Sequence, residues 1–139
     1  MYNKILIPMA LDHGIAAEAL RVAHSLLNPG GKIIALHVYE APSGSVSAYL
    51  DENTVRAAFE DARKRLNARV ENHPDVTPVL QKGHVARTVI DYTSDENIDC
   101  VVIGSHKPGL SDYLLGSTAS RVVRHAPCAV HVLRTSSAS

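Results

Sequence analysis

Apolar residues along the chain form short continuous runs, separated by longer stretches with helical periodicity. A run of apolar and β-branched residues without polar alternation is typical of a parallel strand that is covered on both faces. Cys100–Ile103 is the clearest example, and Gly104 ends it. The predicted strands are Lys4–Met9, Lys32–Tyr39, Thr77–Lys82, Cys100–Ile103 and Cys128–Leu133.

Between these runs, apolar residues recur at the spacing of an amphipathic helix. The second helix is predicted to start at Thr54, the third directly after Gly83, and the fourth is predicted over Ser117–His125. For the first helix, Asp12 is the predicted N-cap and Asn28–Gly31 the predicted stop. Its apolar face is formed by Ile15, Ala19, Val22 and Leu26.

Strands and helices thus alternate with short connections along residues 1–139, which we interpret as one domain. This alternation predicts an α/β fold, a doubly wound five-stranded parallel sheet with helices on both faces. Pro78 cannot donate to a central ladder, which favours strand order 3-2-1-4-5 with the third strand at an edge. Strands 1 and 4 then flank the switch point of the sheet. Pro8–Leu11 and Gly104–Lys107 are expected to meet there, where ligands usually bind.

Small and hydroxyl-bearing residues surround the segment that follows the fourth strand. Gly104-Ser105-His106 opens this segment and Gly116-Ser117-Thr118 closes it at the start of a helix. Small residues let backbone N–H groups approach an anion, and a helix N-terminus adds the positive end of its dipole. The pattern predicts a phosphate-binding cradle at the carboxyl end of a strand.

The stretch GSHKPGLSDYLLGSTASRVVRHAPC resembles the signature loop of the universal stress protein family, whose usual form is G-x-x-G, a spacer and then G-[ST]. The similarity extends along nearly the whole chain. It includes ILIP in the first strand, IIALHVYE in the second, GHVARTVIDY in the middle and HAPCAVHVLR at the end.

The resemblance implies an adenine nucleotide α-hydrolase-like fold and binding of ATP, or of AMP or ADP, with Mg²⁺ accompanying ATP. It also implies which residues bind the nucleotide. Pro8, Met9 and Ala10 would line the adenine or ribose pocket, with Val38 contacting adenine through its backbone. Ile103, Gly104 and Ser105 would pass under the ribose and into the cradle, His106 and Lys107 would border the phosphates, and Gly116, Ser117 and Thr118 would hold them.

Three departures from the family pattern bear on affinity. Ala10 stands where the family usually has Asp, and loss of that carboxylate is expected to remove about 1–3 kcal/mol, or one to two decades of affinity. Lys107 replaces the second glycine of the loop, and the spacer is one residue shorter. The second and third departures resemble a branch of the family that has SH-[basic]-P in this loop. In this chain Lys107 would add a positive charge near the phosphates.

Charge and cysteine content narrow the class of protein. Lys+Arg and Asp+Glu are each 14 of 139 residues, so a nucleic-acid or membrane-surface partner is not expected.

The sequence shows no secretory signal, and no apolar run approaches the length of a membrane span, about 18 residues. These two observations predict a cytoplasmic protein. Cys100 and Cys128 lack zinc-site or C-x-x-C spacing and are expected to be small buried apolar residues.

The last strand, Cys128–Leu133, is predicted at the second edge of the sheet, where open backbone groups invite pairing with another copy. Family members typically dimerise antiparallel through this strand, so the resemblance implies a homodimer. It further implies a stress-response role in which nucleotide state regulates an unidentified protein partner. No catalytic or metal-ligating residue is assigned, and slow ATP hydrolysis is the most that we expect. Two alternatives stay open: an interaction module that binds no nucleotide, and an enzyme that uses the cradle.

Overall fold

The structure is a computed structural model, and it describes residues 1–11, 15–40, 51–105 and 115–134. The described residues form five strands and four helices in strict alternation. The strands are β1 (Tyr2–Pro8), β2 (Leu27–Tyr39), β3 (Val76–Lys82), β4 (Cys100–Gly104) and β5 (Ala129–Leu133). The helices are α1 (Ala17–Leu26), α2 (Glu52–Val70), α3 (Val85–Asp95) and α4 (Ser117–His125).

The five strands form one parallel sheet in the order β3-β2-β1-β4-β5, which confirms the predicted fold class. Pro78 lies in β3 at the edge of the sheet, opposite Ala35, as its missing N–H predicts. β1 and β4 are neighbours, with Ile5 opposite Cys100. The switch point therefore lies between their carboxyl ends, where the strand order reverses.

Two apolar clusters cover the two faces of the sheet, because successive side chains of a strand point to opposite faces. On one face Ile5 and Ile7 pack with buried residues of α1, such as Ala23. On the other face Leu6 packs with buried residues of α3 and α4, such as Val122. This arrangement explains why the strands read as continuous apolar runs rather than as alternating ones.

The helix stop predicted at Asn28–Gly31 is confirmed, because α1 ends at Leu26. These residues lie near the start of β2 as a bulge: the β1–β2 register shifts between Tyr2 and Lys4, whose partners are Leu27 and Lys32, and Gly30 has a φ of 80°. Gly31 lies so close to β1 that an added Cβ would be 2.8 Å from the carbonyl oxygen of Asn3. Glycine is therefore present here for close strand packing.

Two predicted helix starts need correction. Helix α1 has Ala16 at its N-cap position with no side-chain cap, so Asp12, which lies outside the described residues, is not the N-cap residue. Helix α2 begins at Glu52 rather than at Thr54. The reason is that the Asp51 carboxylate accepts the backbone N–H of Thr54 at 2.7 Å, which satisfies an otherwise unpaired amide of the first turn.

Candidate functional site

The carboxyl end of β1 supplies the first group of predicted site residues. Pro8 and Met9 are half-buried, and Ala10 is exposed. The N–H of Met9 donates to the carbonyl of Leu36 (2.9 Å), and its own carbonyl contacts Nδ1 of His37 (2.9 Å). The chain is thus held against β2 for one residue beyond the strand, and the next buried residue after the exposed Ala10 is Leu11.

The carboxyl end of β4 lies beside it. Ile103 is buried, whereas Gly104 is exposed, and a Cβ added to Gly104 would meet no atom of the described residues within 4 Å. Pro8 and Ile103 each lie two residues beyond the last registered β1–β4 pair, Leu6 and Val101. Among residues 1–11, 15–40, 51–105 and 115–134, none therefore fills the space beside Gly104 at the switch point. Val38, the predicted adenine contact, is buried at the end of β2 on the same face of the sheet as Ile103.

Ser105 occupies an unusual position just after β4. Its N–H donates to the carbonyl of Leu133 (2.8 Å), and its carbonyl accepts the N–H of Gly116 (2.7 Å). Its side chain is fully buried, yet the hydroxyl oxygen has no hydrogen-bond partner among the described residues. Leaving a buried hydroxyl unpaired costs about 1–3 kcal/mol, so such a group calls for an explanation.

The bond between Gly116 and Ser105 brings the two glycine-containing segments of the predicted cradle together, so they are not splayed apart. It also uses the amides of both residues internally. The amides of Ser117, Thr118 and Ala119 in the first turn of α4 then have no intrahelical acceptor, because the first helical bond runs from Ser120 to Gly116. Ser117 is exposed and Thr118 is half-buried. His106 and Lys107 lie outside the described residues.

The N-terminus of α4 differs from the other three described helix starts. Helix α4 has no side-chain cap and no acidic residue in its first turn. Helix α1 carries Glu18 in its first turn, and α2 has Asp51 and Glu52. The amide of Val85 at the start of α3 donates to the Glu40 carboxylate (3.2 Å). Of the four, α4 alone therefore has no compensating carboxylate at its positive dipole end among the residues that the structure describes.

Sequence reasoning missed the roles of Glu40 and of the Ser105 hydroxyl. Glu40 follows β2 and lies 45 residues before Val85, so no local motif links them. A signal was present nonetheless, because a carboxylate just after one strand can reach a helix that starts after the neighbouring strand. The burial of the Ser105 hydroxyl has no counterpart in the sequence pattern.

Other chemistry is limited in the part of the chain that the structure describes. No group of three or more His, Cys, Asp or Glu residues there could hold a metal ion, and no helix there is long and apolar enough to cross a membrane. Cys100 and Cys128 are both free and pack against different core clusters. As predicted, Cys100 is a buried apolar group, but Cys128 is only half-buried.

Two surface clefts lie away from the switch point, and neither contains a predicted site residue. One, of about 300 Å³, lies between α1 and His131 of β5. The other, of about 330 Å³, lies between α2 and Lys82, whose ammonium group is 4.9 Å from the centre of the Phe59 ring.

The sheet order and the helix arrangement define an adenine nucleotide hydrolase-like α/β fold. Comparison with known proteins shows which family within this fold class the chain belongs to. The model of the universal stress protein family matches residues 1–134. Universal stress protein G from Salmonella typhimurium is 34% identical over 143 residues, which cover 96% of this chain and 100% of that protein. The chain therefore belongs to the universal stress protein family.

Solved structures agree on the fold. Universal stress protein UspA from Lactobacillus plantarum is 26% identical with a TM-score of 0.66, covering 96% of this chain and 98% of that one. A family member from Arabidopsis thaliana, solved with AMP bound, is 13% identical with a TM-score of 0.62, covering 98% and 94%. Two further universal stress proteins were solved with cAMP (20% identity, TM-score 0.58, 97% and 98% covered) and, from Archaeoglobus fulgidus, with dAMP (16%, 0.54, 94% and 97%).

Proposed function

We propose that this universal stress protein is a cytoplasmic homodimer that binds an adenine nucleotide at the switch point and regulates a protein partner according to nucleotide state. Residues 1–139 form one such domain in this proposal. The nucleotide is AMP, ADP or ATP, and Mg²⁺ enters only together with ATP. Hydrolysis is slow at most, since no catalytic residue is assigned.

The observation that carries the proposal is the N-terminus of α4, which has neither a cap nor an acidic residue in its first turn. A free helix N-terminus attracts phosphate through its unpaired amides and its dipole. The unpaired, buried hydroxyl of Ser105 lies next to it through the Gly116 bond. Open space in front of Gly104 gives a ligand room between these groups and the end of β1.

The relatives solved with ligands support an adenine nucleotide as the class of ligand, because AMP, cAMP and dAMP each carry one adenine and one phosphate group. One phosphate is also what a single uncompensated helix N-terminus accommodates most simply. Under this proposal Ser117 and Thr118 donate to the phosphate, while Pro8, Met9, Ala10, Val38, Ile103 and Gly104 surround the nucleoside, and His106 and Lys107 border the phosphate.

Thermal unfolding with AMP, ATP and GMP tests the proposal. A ligand at about 100 times its Kd stabilises the folded state by about 2.7 kcal/mol, so adenine nucleotides are expected to raise the Tm by several degrees. GMP is the matched control for the base. In parallel, the purified protein is denatured and any released nucleotide is identified by absorbance and chromatography. Absence of released nucleotide, together with an unchanged Tm in millimolar AMP and ATP, would refute nucleotide binding.

A second candidate is a universal stress protein that acts purely as an interaction module, and Ala10 favours it. Ala10 is exposed at the end of β1, where the family usually provides a carboxylate. Ala10→Asp separates the two candidates. In a nucleotide-binding protein it is expected to tighten AMP binding by about tenfold in calorimetry, because a carboxylate can accept a hydrogen bond from a ribose hydroxyl. In an interaction module it leaves AMP binding undetectable.

Ser105→Ala is expected to have opposite effects on stability and on binding. Removing an unpaired buried hydroxyl raises the free energy of unfolding of the ligand-free protein by about 1 kcal/mol, while losing a ligand contact weakens AMP binding by about tenfold. Urea unfolding and calorimetry measure the two effects.

Thr93→Val is the matched control, because the equally buried Thr93 hydroxyl donates to the carbonyl of Ile90 (2.6 Å). Its loss is expected to lower stability and to leave AMP binding unchanged. An unchanged AMP affinity in Ser105→Ala would show that the hydroxyl is only a structural defect.

The homodimer in this proposal forms through β5. This strand is at the edge of the sheet, and Ala129 and His131 on it are exposed. An uncovered edge strand of this kind pairs readily with a second copy. Light scattering at micromolar concentration is expected to give twice the monomer mass of 15.0 kDa, and a clean monomer would overturn this part of the proposal.

A further inference from the structure

The backbone of β5 offers hydrogen bonds on its outer side at alternate residues. Along a strand, the N–H and C=O groups of successive residues point to opposite sides. The carbonyl of Leu133 accepts the N–H of Ser105, so the backbone groups of Leu133 point inward, toward β4. By alternation those of His131 also point inward, whereas those of Val130 and Val132 point outward and can pair with another strand.

The side chain of His131 lies on the face of the sheet that α1 covers. Leu133, two residues along β5, packs against the core cluster on that face, and side chains two residues apart share a face. His131 is exposed there. Together with four residues of α1 it lines the cleft of about 300 Å³; these are Arg21, Val22, Ser25 and Leu26.

Symmetry restricts how β5 can pair with β5 of a second copy. In an antiparallel pair of identical strands that continues the sheet, two residues directly opposite each other point to the same face. The twofold axis therefore passes between two copies of one residue, which face each other, and not between two different residues. If the twofold axis lies at His131, each residue of Ala129–Leu133 has a partner in the same strand of the second copy. An axis at any other residue leaves part of the strand without a partner. In this register the outward backbone groups of Val130 hydrogen-bond to Val132 of the partner subunit.

We propose that His131 faces His131 of the partner subunit across the twofold axis and that their protonation weakens the dimer as the pH falls through the range of imidazole titration. This inference rests on the homodimer of the proposed function. The two residues form a non-hydrogen-bonded pair, in which the Cα atoms are about 4.5 Å apart and the side chains are closest. Like charges directly opposite each other destabilise a strand pair.

The charged groups around His131 do not offset two imidazolium ions. On α1, Arg21 is positively charged, and its guanidinium is paired with Glu18 (3.1 Å). On β4, burial raises the pKa of the Cys100 thiol to about 11, so that thiol is neutral. No carboxylate is among the residues that line this cleft in the described part of the chain. The dimer therefore binds fewer protons than two monomers, and its Kd rises as pH falls.

Sedimentation at about pH 7.5 and about pH 5.5 tests the pH dependence, because imidazoles change charge within this range. We expect the dimer Kd to be about tenfold higher at the lower pH, because two like charges then lie opposite each other at the centre of the strand pair. His131→Gln is expected to remove the change. His125→Gln, at an exposed histidine in the last turn of α4, is the matched control and keeps it.

The outcomes separate the two proposals. A monomer at both pH values overturns the dimer and this inference together. A dimer whose Kd does not change with pH, or changes equally in His131→Gln, overturns the inference alone.

Cysteine substitution tests the register independently of pH. A disulfide requires Cα atoms about 4.4–6.8 Å apart, so His131→Cys is expected to form a covalent dimer under mild oxidation. Ala129→Cys is the matched control on the same face of β5. Its Cα atoms would be about 13 Å apart along the paired strands, and it stays non-covalent on a non-reducing gel. The wild type, with its native thiols, is the baseline, and cross-linking of Ala129→Cys without His131→Cys would refute the register.

Discussion

Gly104→Val is expected to leave the fold intact and to weaken AMP binding by about 10- to 100-fold. A Cβ at this position meets no atom of the described residues within 4 Å, and the φ of Gly104 is not in the left-handed region. The free energy of unfolding is therefore expected to change by less than about 0.5 kcal/mol. The added side chain instead occupies the open space in front of β4 in which the proposed nucleotide lies. Overlap of this kind costs about 1–3 kcal/mol, which sets the expected loss of affinity.

Calorimetry with AMP measures the affinity, and urea unfolding without ligand measures the stability. Ala68→Val, at an exposed position of α2 far along the chain from the site, is the control for adding the same side chain. It is expected to leave AMP binding unchanged. Wild-type affinity in Gly104→Val would place the nucleotide elsewhere on the molecule.

The second large effect concerns alkaline pH and the buried thiol of Cys100. Burial, with a smaller contribution from the neighbouring Cys128, raises the pKa of this thiol from 9.0 to about 11. The folded-state pKa is therefore above the unfolded one, and the neutral thiol contributes its full stability below pH 9. That contribution is lost as the pH rises toward 11. Since Cys100 is only 1% exposed, the loss is about 2–3 kcal/mol in the free energy of unfolding.

Urea unfolding at about pH 8 and about pH 10.5 measures this loss, and Cys100→Ala isolates it. The variant removes one methyl-sized group, which costs about 1 kcal/mol at every pH, but it lacks the titrating thiol. Tyr92 and Cys128, whose pKa values burial also raises, titrate in both proteins and cancel in the difference. Equal pH dependence in the two proteins would contradict a shifted pKa at Cys100.

Prediction from the sequence succeeded where local pattern decides the outcome. The predicted α4, Ser117–His125, coincides with the helix in the structure, because Gly116 precedes it and its apolar residues recur at helical spacing. The edge position of β3 also followed, since Pro78 excludes a central position, and it fits the doubly wound order that the structure confirms. The family was correctly identified from the motifs in the same order and spacing.

Prediction failed where a distant part of the chain decides the outcome. Asn28–Gly31 was correctly predicted to stop α1, but the bulge that these residues form beside β1 was not predicted. The carboxylate that accepts the first amide of α3 belongs to Glu40, which follows β2. The amides expected to bind an anion include those of Ser105 and Gly116, which the structure uses for internal hydrogen bonds. Each of these depends on which elements become neighbours, and sequence spacing does not contain that information.

The sequence by itself determined the fold class, the strand order, the edge position of β5 and the family. It did so because local residue order contains these signals: continuous apolar runs for strands buried on two faces, helical periodicity, and Pro78 in the third strand. Only the tertiary structure decided which helix N-terminus stays uncompensated, that the Ser105 hydroxyl has no partner, and that His131 faces outward beside α1. Those outcomes depend on distances between residues far apart in the chain, which packing alone sets.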